Sequence, residues 1–288
     1  VKTPFFSVII PTFNRAHLIV DTINEVLYQS FSNFELIIID DGSTDETQKI
    51  IETINDERII YSYQVNSGVS AARNHGALIA QCEYIVFLDS DDKVSKNWLS
   101  DYYNILIAQD KSIVFSDMEK RTQTGECIKI VRARNPYGNN IDYGIFIPGS
   151  FCVKKSVFNQ INGYDISLKY GENTELSFRL FEIAPSFTFT DNVGLFYYAS
   201  LDGGSKNLHN LIDSNLYIIK KHKDYFRKNK SVKRLYLQNT AVALIKLERY
   251  KEAQKVLLEI LYLYPFHLKN IFRFICSFHP KLTKLVWR

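Results

Sequence analysis

Cysteine is scarce. Cys82, Cys127, Cys152 and Cys276 form no C-x-x-C pair and have no histidine cluster beside them. That spacing argues against a zinc site or a disulfide framework and suits a reducing compartment, where cysteine acts as a small buried hydrophobe. No apolar run approaches the ~20 residues that a membrane-spanning helix needs. Glycine and proline are few, at 12 and 7, while aromatic residues make up 14% of the chain; that balance argues against disorder. The first residues show no leader pattern, because the strand-like run after Lys2 meets Pro11 early. The expectation is a cytoplasmic protein.

What is present reads as globular. With 46% apolar and 23% charged residues, 288 in all, the chain is long enough for one large domain and a small one. The net charge of +4 hides a split. Residues 1–205 carry 17 Lys+Arg against 26 Asp+Glu, and residues 206–288 carry 18 against 5. The expected division is a domain over 1–205 and a basic helical extension over 206–288, and such asymmetry points the extension at an anionic partner.

Within the first part, apolar runs at Phe5–Ile10, Phe34–Ile39, Ile59–Gln64 and Tyr84–Leu88 alternate with helical spacing over Ala16–Gln29, Thr47–Ile54 and Ser70–Gln81. Runs apolar on both faces, alternating with helices, predict an α/β fold with a mostly parallel sheet flanked by helices. Right-handed crossovers bring the carboxyl ends of such strands to one edge, where open sheets bind ligands. Both acidic stretches, Asp40-Asp41 and Asp89-Ser90-Asp91-Asp92, fall at strand carboxyl ends. Further along, Trp98–Ala108, Lys154–Ile161 and Glu172–Glu182 read as helices and Ser112–Ser116 as a strand. Residues 132–150 read as a long functional loop, and Gly203-Gly204 as a boundary.

Carboxylates at a ligand edge suit a divalent cation. Mg²⁺ and Mn²⁺ take carboxylate and phosphate oxygens and keep positions open for substrate. An isolated D-x-D reads equally as a solvated turn that caps the next helix; two acidic stretches on one predicted edge favour the ligand reading.

Four segments in order carry a resemblance. They are Ser7-Val8-Ile9-Ile10-Pro11-Thr12-Phe13-Asn14-Arg15, Leu36 to Asp45 with Asp40-Asp41-Gly42-Ser43, Asn66-Ser67-Gly68-Val69-Ser70-Ala71-Ala72-Arg73-Asn74, and Phe87-Leu88-Asp89-Ser90-Asp91-Asp92. Over residues 5–200 the chain resembles family 2 glycosyltransferases of the GT-A (Rossmann-like) fold, which move a sugar from a nucleotide diphosphate donor with inversion. The resemblance implies that Pro11, Thr12, Phe13 and Asn14 contact the nucleotide, that Asp41 accepts from the base N–H of a uracil, and that Arg73 faces the nucleotide or its phosphates. It implies Asp89, Asp91 and Asp92 as ligands of Mn²⁺ or Mg²⁺, with Asp91 bridging ribose and metal. Asp40 is expected to be structural.

The acceptor side resembles the same family through Pro148-Gly149-Ser150-Phe151, Asn162-Gly163-Tyr164-Asp165 and Tyr170-Gly171-Glu172-Asn173-Thr174-Glu175. The last segment departs from the family, which places an Asp as catalytic base where Asn173 stands. An amide takes no proton. Glu172, Glu175 or a group elsewhere is left as the base. Arg179 pairs either with a phosphate or with Glu175 four residues before it. His17, His75 and His209 are isolated.

In the extension, Ala241, Leu244, Tyr250, Ala253, Leu257, Ile260 and Pro265 fall at the spacing of a tetratricopeptide-type helix hairpin, one unit being too little for a solenoid. Basic residues from Lys220 to Arg234 interleave with Tyr217, Tyr225, Phe226 and Tyr236. Near the end, Phe272, Phe274 and Trp287 mix with Lys269, Arg273, Lys281, Lys284 and Arg288. Basic and aromatic residues together suit the anionic inner face of a membrane, against the simpler reading of a solvated helix face. No nucleic-acid motif appears. The expected function is sugar transfer to a glycan or lipid-linked acceptor in surface polysaccharide assembly. The alternatives are a non-catalytic nucleotide-sugar-binding module and a nucleotidyltransferase. The latter wants a Gly-rich basic loop after the first strand, where Pro11-Thr12-Phe13-Asn14 stands instead.

Overall fold

The computed structural model describes residues 3–134, 146–183, 186–198 and 207–279. The Gly203-Gly204 boundary, the 135–145 part of the long loop, and Lys281, Lys284, Trp287 and Arg288 lie outside the described residues. The chain divides into two compact units, Val1–Ile166 with Glu172–Leu201, and Ser167–Gly171 with Asp202–Arg288.

The first unit is built on a nine-stranded sheet. Its elements are β1 (Phe6–Thr12), α1 (Ile19–Leu27), β2 (Phe34–Asp40), α2 (Thr47–Glu52), β3 (Ile59–Tyr63), α3 (Val69–Ile79), β4 (Tyr84–Phe87) and β5 (Lys93–Val94). They continue with α4 (Trp98–Ala108), β6 (Ile113–Arg121), β7 (Cys127–Val131), β8 (Phe151–Lys154), α5 (Lys155–Gln160), α6 (Glu172–Glu182) and β9 (Phe187–Tyr198). The strand order is β3-β2-β1-β4-β8-β6-β9-β5, with β7 paired to β6. The half formed by β3, β2, β1 and β4 is parallel. Beyond it the sheet is mixed: β8 runs antiparallel to β4 and β6, and β9 parallel to β6.

Every residue of β1, β2 and β4 is buried, as expected for central parallel strands covered on both faces. Pro11 does not end β1, which runs on to Thr12. The last bond on the β4 side is Leu88 N–H to Ile9 C=O, and Thr12 C=O accepts from Asp41 on the β2 side. Alternation along the strand therefore turns the Pro11 nitrogen toward the β4 side, past its last ladder bond, where no donor is needed. On the covering layer, α3 approaches β1 so closely that a Cβ at Gly76 would collide with Ile9.

The second unit is helical: α7 (Leu208–Lys221), α8 (Lys223–Lys228), α9 (Lys230–Lys246), α10 (Tyr250–Leu263) and α11 (Leu268–Cys276). Asn207 starts α7, its side chain accepting from the His209 and Asn210 N–H groups. Its core gathers Ile212, Leu237, Ala241, Leu244, Ala253, Leu257 and Ile260. The α9–α10 turn is a Schellman motif without glycine. Glu248 takes φ 59, Glu248 N–H donates to Ile245 C=O and Arg249 N–H to Leu244 C=O. Among the described residues no helix is long and apolar enough to cross a membrane.

Candidate active site at the carboxyl edge of the sheet

The parallel register sets Thr12 opposite Asp40 and Ile9 opposite Phe87, so the chain leaves β1, β2 and β4 at one edge. The turn after β1 is stapled to the turn after β2. Asn14, at φ 51, donates its N–H to Ser43 Oγ at 2.9 Å, and its Oδ1 accepts from Thr44 N–H at 2.8 Å. Phe13 beside it is exposed and Thr12 is buried.

The first acidic pair is largely satisfied by the chain itself. Asp40 accepts from Ser43 N–H at 2.8 Å and from the Tyr61 hydroxyl at 3.0 Å, the structural role expected of it. Asp41 accepts three bonds. Oδ1 takes Gln64 Nε2 at 2.7 Å and Ser67 N–H at 2.8 Å, and Oδ2 takes Gly68 N–H at 2.8 Å. A carboxylate has about four lone-pair sites, so one remains for a ligand donor. Gln64 in turn meets His75 Nδ1 at 2.9 Å. Asp41 thus sets the loop that enters α3, a role its neighbours in sequence did not reveal.

The second stretch is under-satisfied. Asp91 meets Arg15 at 3.7 Å. Burial, and then the charge of Asp89, raises its pKa above the ordinary aspartate value. Asp92 is 2% exposed, and its Oδ1 accepts from Tyr198 N–H at 3.1 Å. Burial first, then Asp89 and Asp91, pushes its carboxyl well above the usual range. Asp92 was expected as a direct metal ligand. In the structure it is buried, and its carboxylate ties the cluster to β9 through the Tyr198 N–H. Asp89 and Asp91 are the part-exposed pair. Among the described residues no group of three or more His, Cys, Asp or Glu side chains is poised for a metal. Asp89 and Asp91 leave two part-exposed carboxylates at this edge; two is the number a small divalent cation uses when phosphate oxygens complete its shell.

Arg73 was expected to face the nucleotide or its phosphates. It is 2% exposed instead. Its guanidinium donates to Asp89 Oδ1 at 2.6 Å and to Glu172 Oε1 at 3.3 Å, and stands 5.0 Å from the Tyr164 ring centroid. Burial alone would lower its pKa, yet Asp89, Tyr164 and Glu172 hold it above the usual guanidinium value. Its charge is spent inside the chain, as a bridge between the acidic stretch and α6. The next residue fixes the same junction: Asn74 donates Nδ2 to Tyr164 C=O at 2.8 Å and accepts Tyr164 N–H at 2.7 Å.

On α6 the two candidate bases part company. Glu172, in the first turn, keeps 15% of its side chain exposed and accepts from Asn173 Nδ2 at 3.1 Å. Glu175 is fully buried and clasped by Arg179, whose Nε and Nη2 reach its two oxygens at 2.9 and 2.6 Å. Arg179 also donates to Ile161 C=O and, at 2.6 Å, to Gly163 C=O. Glu175 is a structural counter-ion with no route to a substrate proton, and the catalytic expectation for it is corrected. Gly149, just before β8, accepts from Trp98 Nε1 at 2.7 Å. Five buried polar atoms of these segments have no hydrogen-bond partner: Thr12 Oγ1, Ser70 Oγ, Arg73 Nε, the Tyr164 hydroxyl and Asn173 Oδ1. Buried polar atoms are nearly always paired, so water or a ligand is left to satisfy these five.

A family model described as Glycosyl transferase family 2 matches residues 7–153. WcaA of Escherichia coli, named for colanic acid biosynthesis, is 43% identical over 102 residues, spanning 34% of this chain and 37% of that protein. An uncharacterized glycosyltransferase of Rickettsia prowazekii is 30% identical over 194 residues, 64% of this chain and 61% of that one. The chain therefore spans between about a third and three fifths of these relatives. Among solved structures, S. aureus TarS 1-349 in complex with UDP-GlcNAc superposes with a TM-score of 0.68 at 18% identity, covering 98% of this chain and 89% of that one. This last likeness is one of fold.

Proposed function

We propose, from the premise that this chain belongs to glycosyl transferase family 2, that it moves a sugar from a UDP-linked donor to a hydroxyl of a glycan or lipid-linked acceptor in surface polysaccharide assembly. One observation carries the reading. Asp89 and Glu172, from segments far apart in sequence, are drawn to one edge of the sheet by a single buried arginine. The WcaA name supports the polysaccharide setting, and the UDP-GlcNAc held by TarS supports the donor class.

In this reading the Phe13–Asn14 turn and the free acceptor site of Asp41 hold the base, and Asp89 and Asp91 would hold Mn²⁺ or Mg²⁺. That ion supplies charge neutralisation of the departing diphosphate. Glu172 takes the proton of the acceptor hydroxyl. The hydroxyl oxygen bonds to the anomeric carbon as the bond to the diphosphate breaks on the opposite face, and configuration inverts. Asn173 donates to Glu172 and orients it. Arg73 fixes the spacing between base and acidic pair and is a positioning residue.

Asn173, standing where the family carries its base, favours a second reading: a module that binds nucleotide sugar without transferring it. Donor turnover with Mn²⁺ and a panel of glycan acceptors decides between them. The transfer reading expects turnover that Glu172→Gln removes while donor binding persists. Binding without turnover across the panel supports the second reading. The basic helical unit is proposed to meet the anionic inner face of a membrane, as its composition suggests.

A further inference from the structure

Basic and aromatic residues mix in two regions of the helical unit, and the fold treats the two differently. In the run from Lys220 to Arg234, Phe226 is buried, with its ring 5.3 and 5.2 Å from those of Tyr225 and Tyr236. Tyr217 has the Lys221 ammonium 5.8 Å from its ring centroid. These rings are engaged within the unit. The end of α10, the turn after it and α11 are the reverse. Tyr262, Phe266 and Leu268 are 87%, 93% and 79% exposed, and Phe272 and Ile275 are exposed beyond them. Leu268, Phe272 and Ile275 stand at i, i+4 and i+7 of α11, so they form one stripe along the helix. The opposite side holds the buried Asn270 and the Phe274 that packs on the core of the unit. Large apolar side chains gathered in water mark a surface that something covers.

Charge names the occupant. From Ile260 to Arg288 the chain has five Lys and Arg and no Asp or Glu. Lys269 and Arg273 each follow a stripe residue, about 100° round the helix, so a basic row borders the apolar one. A second copy docking this face on itself would set these like charges together with no acid to offset them. An anionic bilayer surface accepts both rows: the acyl boundary takes the apolar side chains and the phosphates take the cations. We infer that α11 and the turn before it are the membrane-inserting edge of the helical unit, docking on anionic phospholipid by burying Phe266, Leu268 and Phe272 in the interface. This deepens the membrane reading given above and rests on it. The basic run over 220–234, its rings turned to its own neighbours, then contributes attraction alone, and α11 contributes insertion.

The test is co-sedimentation of the full chain with phosphatidylcholine vesicles containing phosphatidylglycerol, at low salt and at salt high enough to screen exposed charges. Capture of the wild type is expected at both. A Phe266→Ser, Leu268→Ser, Phe272→Ser triple variant is expected to bind about tenfold or more weakly, because the apolar side chains that would leave water are gone. All three positions are exposed, and thermal unfolding that matches the wild type certifies the variant's fold. A single Phe266→Trp variant gives an independent readout. Its emission is expected to shift to the blue on vesicle addition and to be quenched by brominated acyl chains, beyond any change from the two native tryptophans of the parent chain. Capture that persists in the triple variant, capture that salt abolishes in the wild type, or a tryptophan that does not respond overturns insertion by α11 and leaves the membrane reading as one of charge alone. No capture of the wild type overturns both. A wild-type dimer in solution that the triple variant reduces to a monomer also overturns the inference, because a second copy then covers the stripe. Turnover with soluble acceptors, measured on the same samples, reports on the transfer reading separately.

Discussion

Two neighbours of β1 end in acidic stretches, and the fold treats them oppositely. After β2, Asp40 and Asp41 receive five hydrogen bonds from the chain, two of them from backbone N–H groups that shape the entry to α3. After β4, Asp91 has one long ion pair and Asp92 one hydrogen bond, and both carboxyls are pushed toward the protonated form. The same contrast recurs within one turn of α6, where Glu175 is clasped by Arg179 and Glu172 is held loosely by Arg73 and Asn173. A satisfied carboxylate stabilises the fold; an unsatisfied one is left ready for a cation or a proton.

Substitutions sharpen or break that contrast. The largest effect is expected at Glu172. Under the transfer reading, Glu172→Gln lowers kcat by about 10²–10⁴-fold, the usual worth of a general base, with donor affinity little changed; steady-state kinetics with UDP-sugar checks it. Glu175→Gln is expected to act on stability instead, costing about 3–5 kcal/mol in denaturant unfolding, because it leaves the Arg179 charge buried and uncompensated. Equal stability losses at the two positions would erase the distinction drawn on α6. Asp41→Asn is expected to cost about 1–3 kcal/mol, since one amide N–H must face Ser67, Gly68 or Gln64 donors.

The smallest effect has the opposite sign. Asp92 keeps its proton longer in the folded chain than in the unfolded one, because burial disfavours its charge. Ionisation therefore costs stability above the ordinary aspartate value of 3.8 and nothing below it. In EDTA, Asp92→Asn is expected to raise Tm by a few degrees at pH 7, with the gain vanishing once the pH falls below the ordinary aspartate value. Scanning calorimetry across that range reads it directly.

The sequence displays some of this readily and hides the rest for physical reasons. The parallel half was legible because its strands are continuous apolar runs, and Trp98–Ala108 and Glu172–Glu182 form helices with the limits read from their spacing. The mixed half was less so. Most of β7 is exposed and β5 has two residues. In β9, Asp191 at φ 58 and Asn192 interrupt a twelve-residue strand with turn chemistry. At the site, the ion pair of Glu175 with Arg179 follows from local spacing, while the structural role of Asp40 was implied by the resemblance. The bridge through Arg73 does not, because Asp89 and Glu172 lie 16 and 99 residues from it and no periodicity links them. The hydrogen bond that Asp92 accepts likewise comes from Tyr198, on a strand 106 residues away.

The central claim is that the stretch after β4 is incomplete without a cation. UDP titrated into the wild-type chain and Asp91→Asn, each with Mn²⁺ and with EDTA, tests it most directly. The account predicts that Mn²⁺ tightens UDP binding about tenfold or more in the wild type and has no such effect in the variant. Metal-independent UDP binding, or an Asp91→Asn chain that responds to Mn²⁺ as the wild type does, would contradict it.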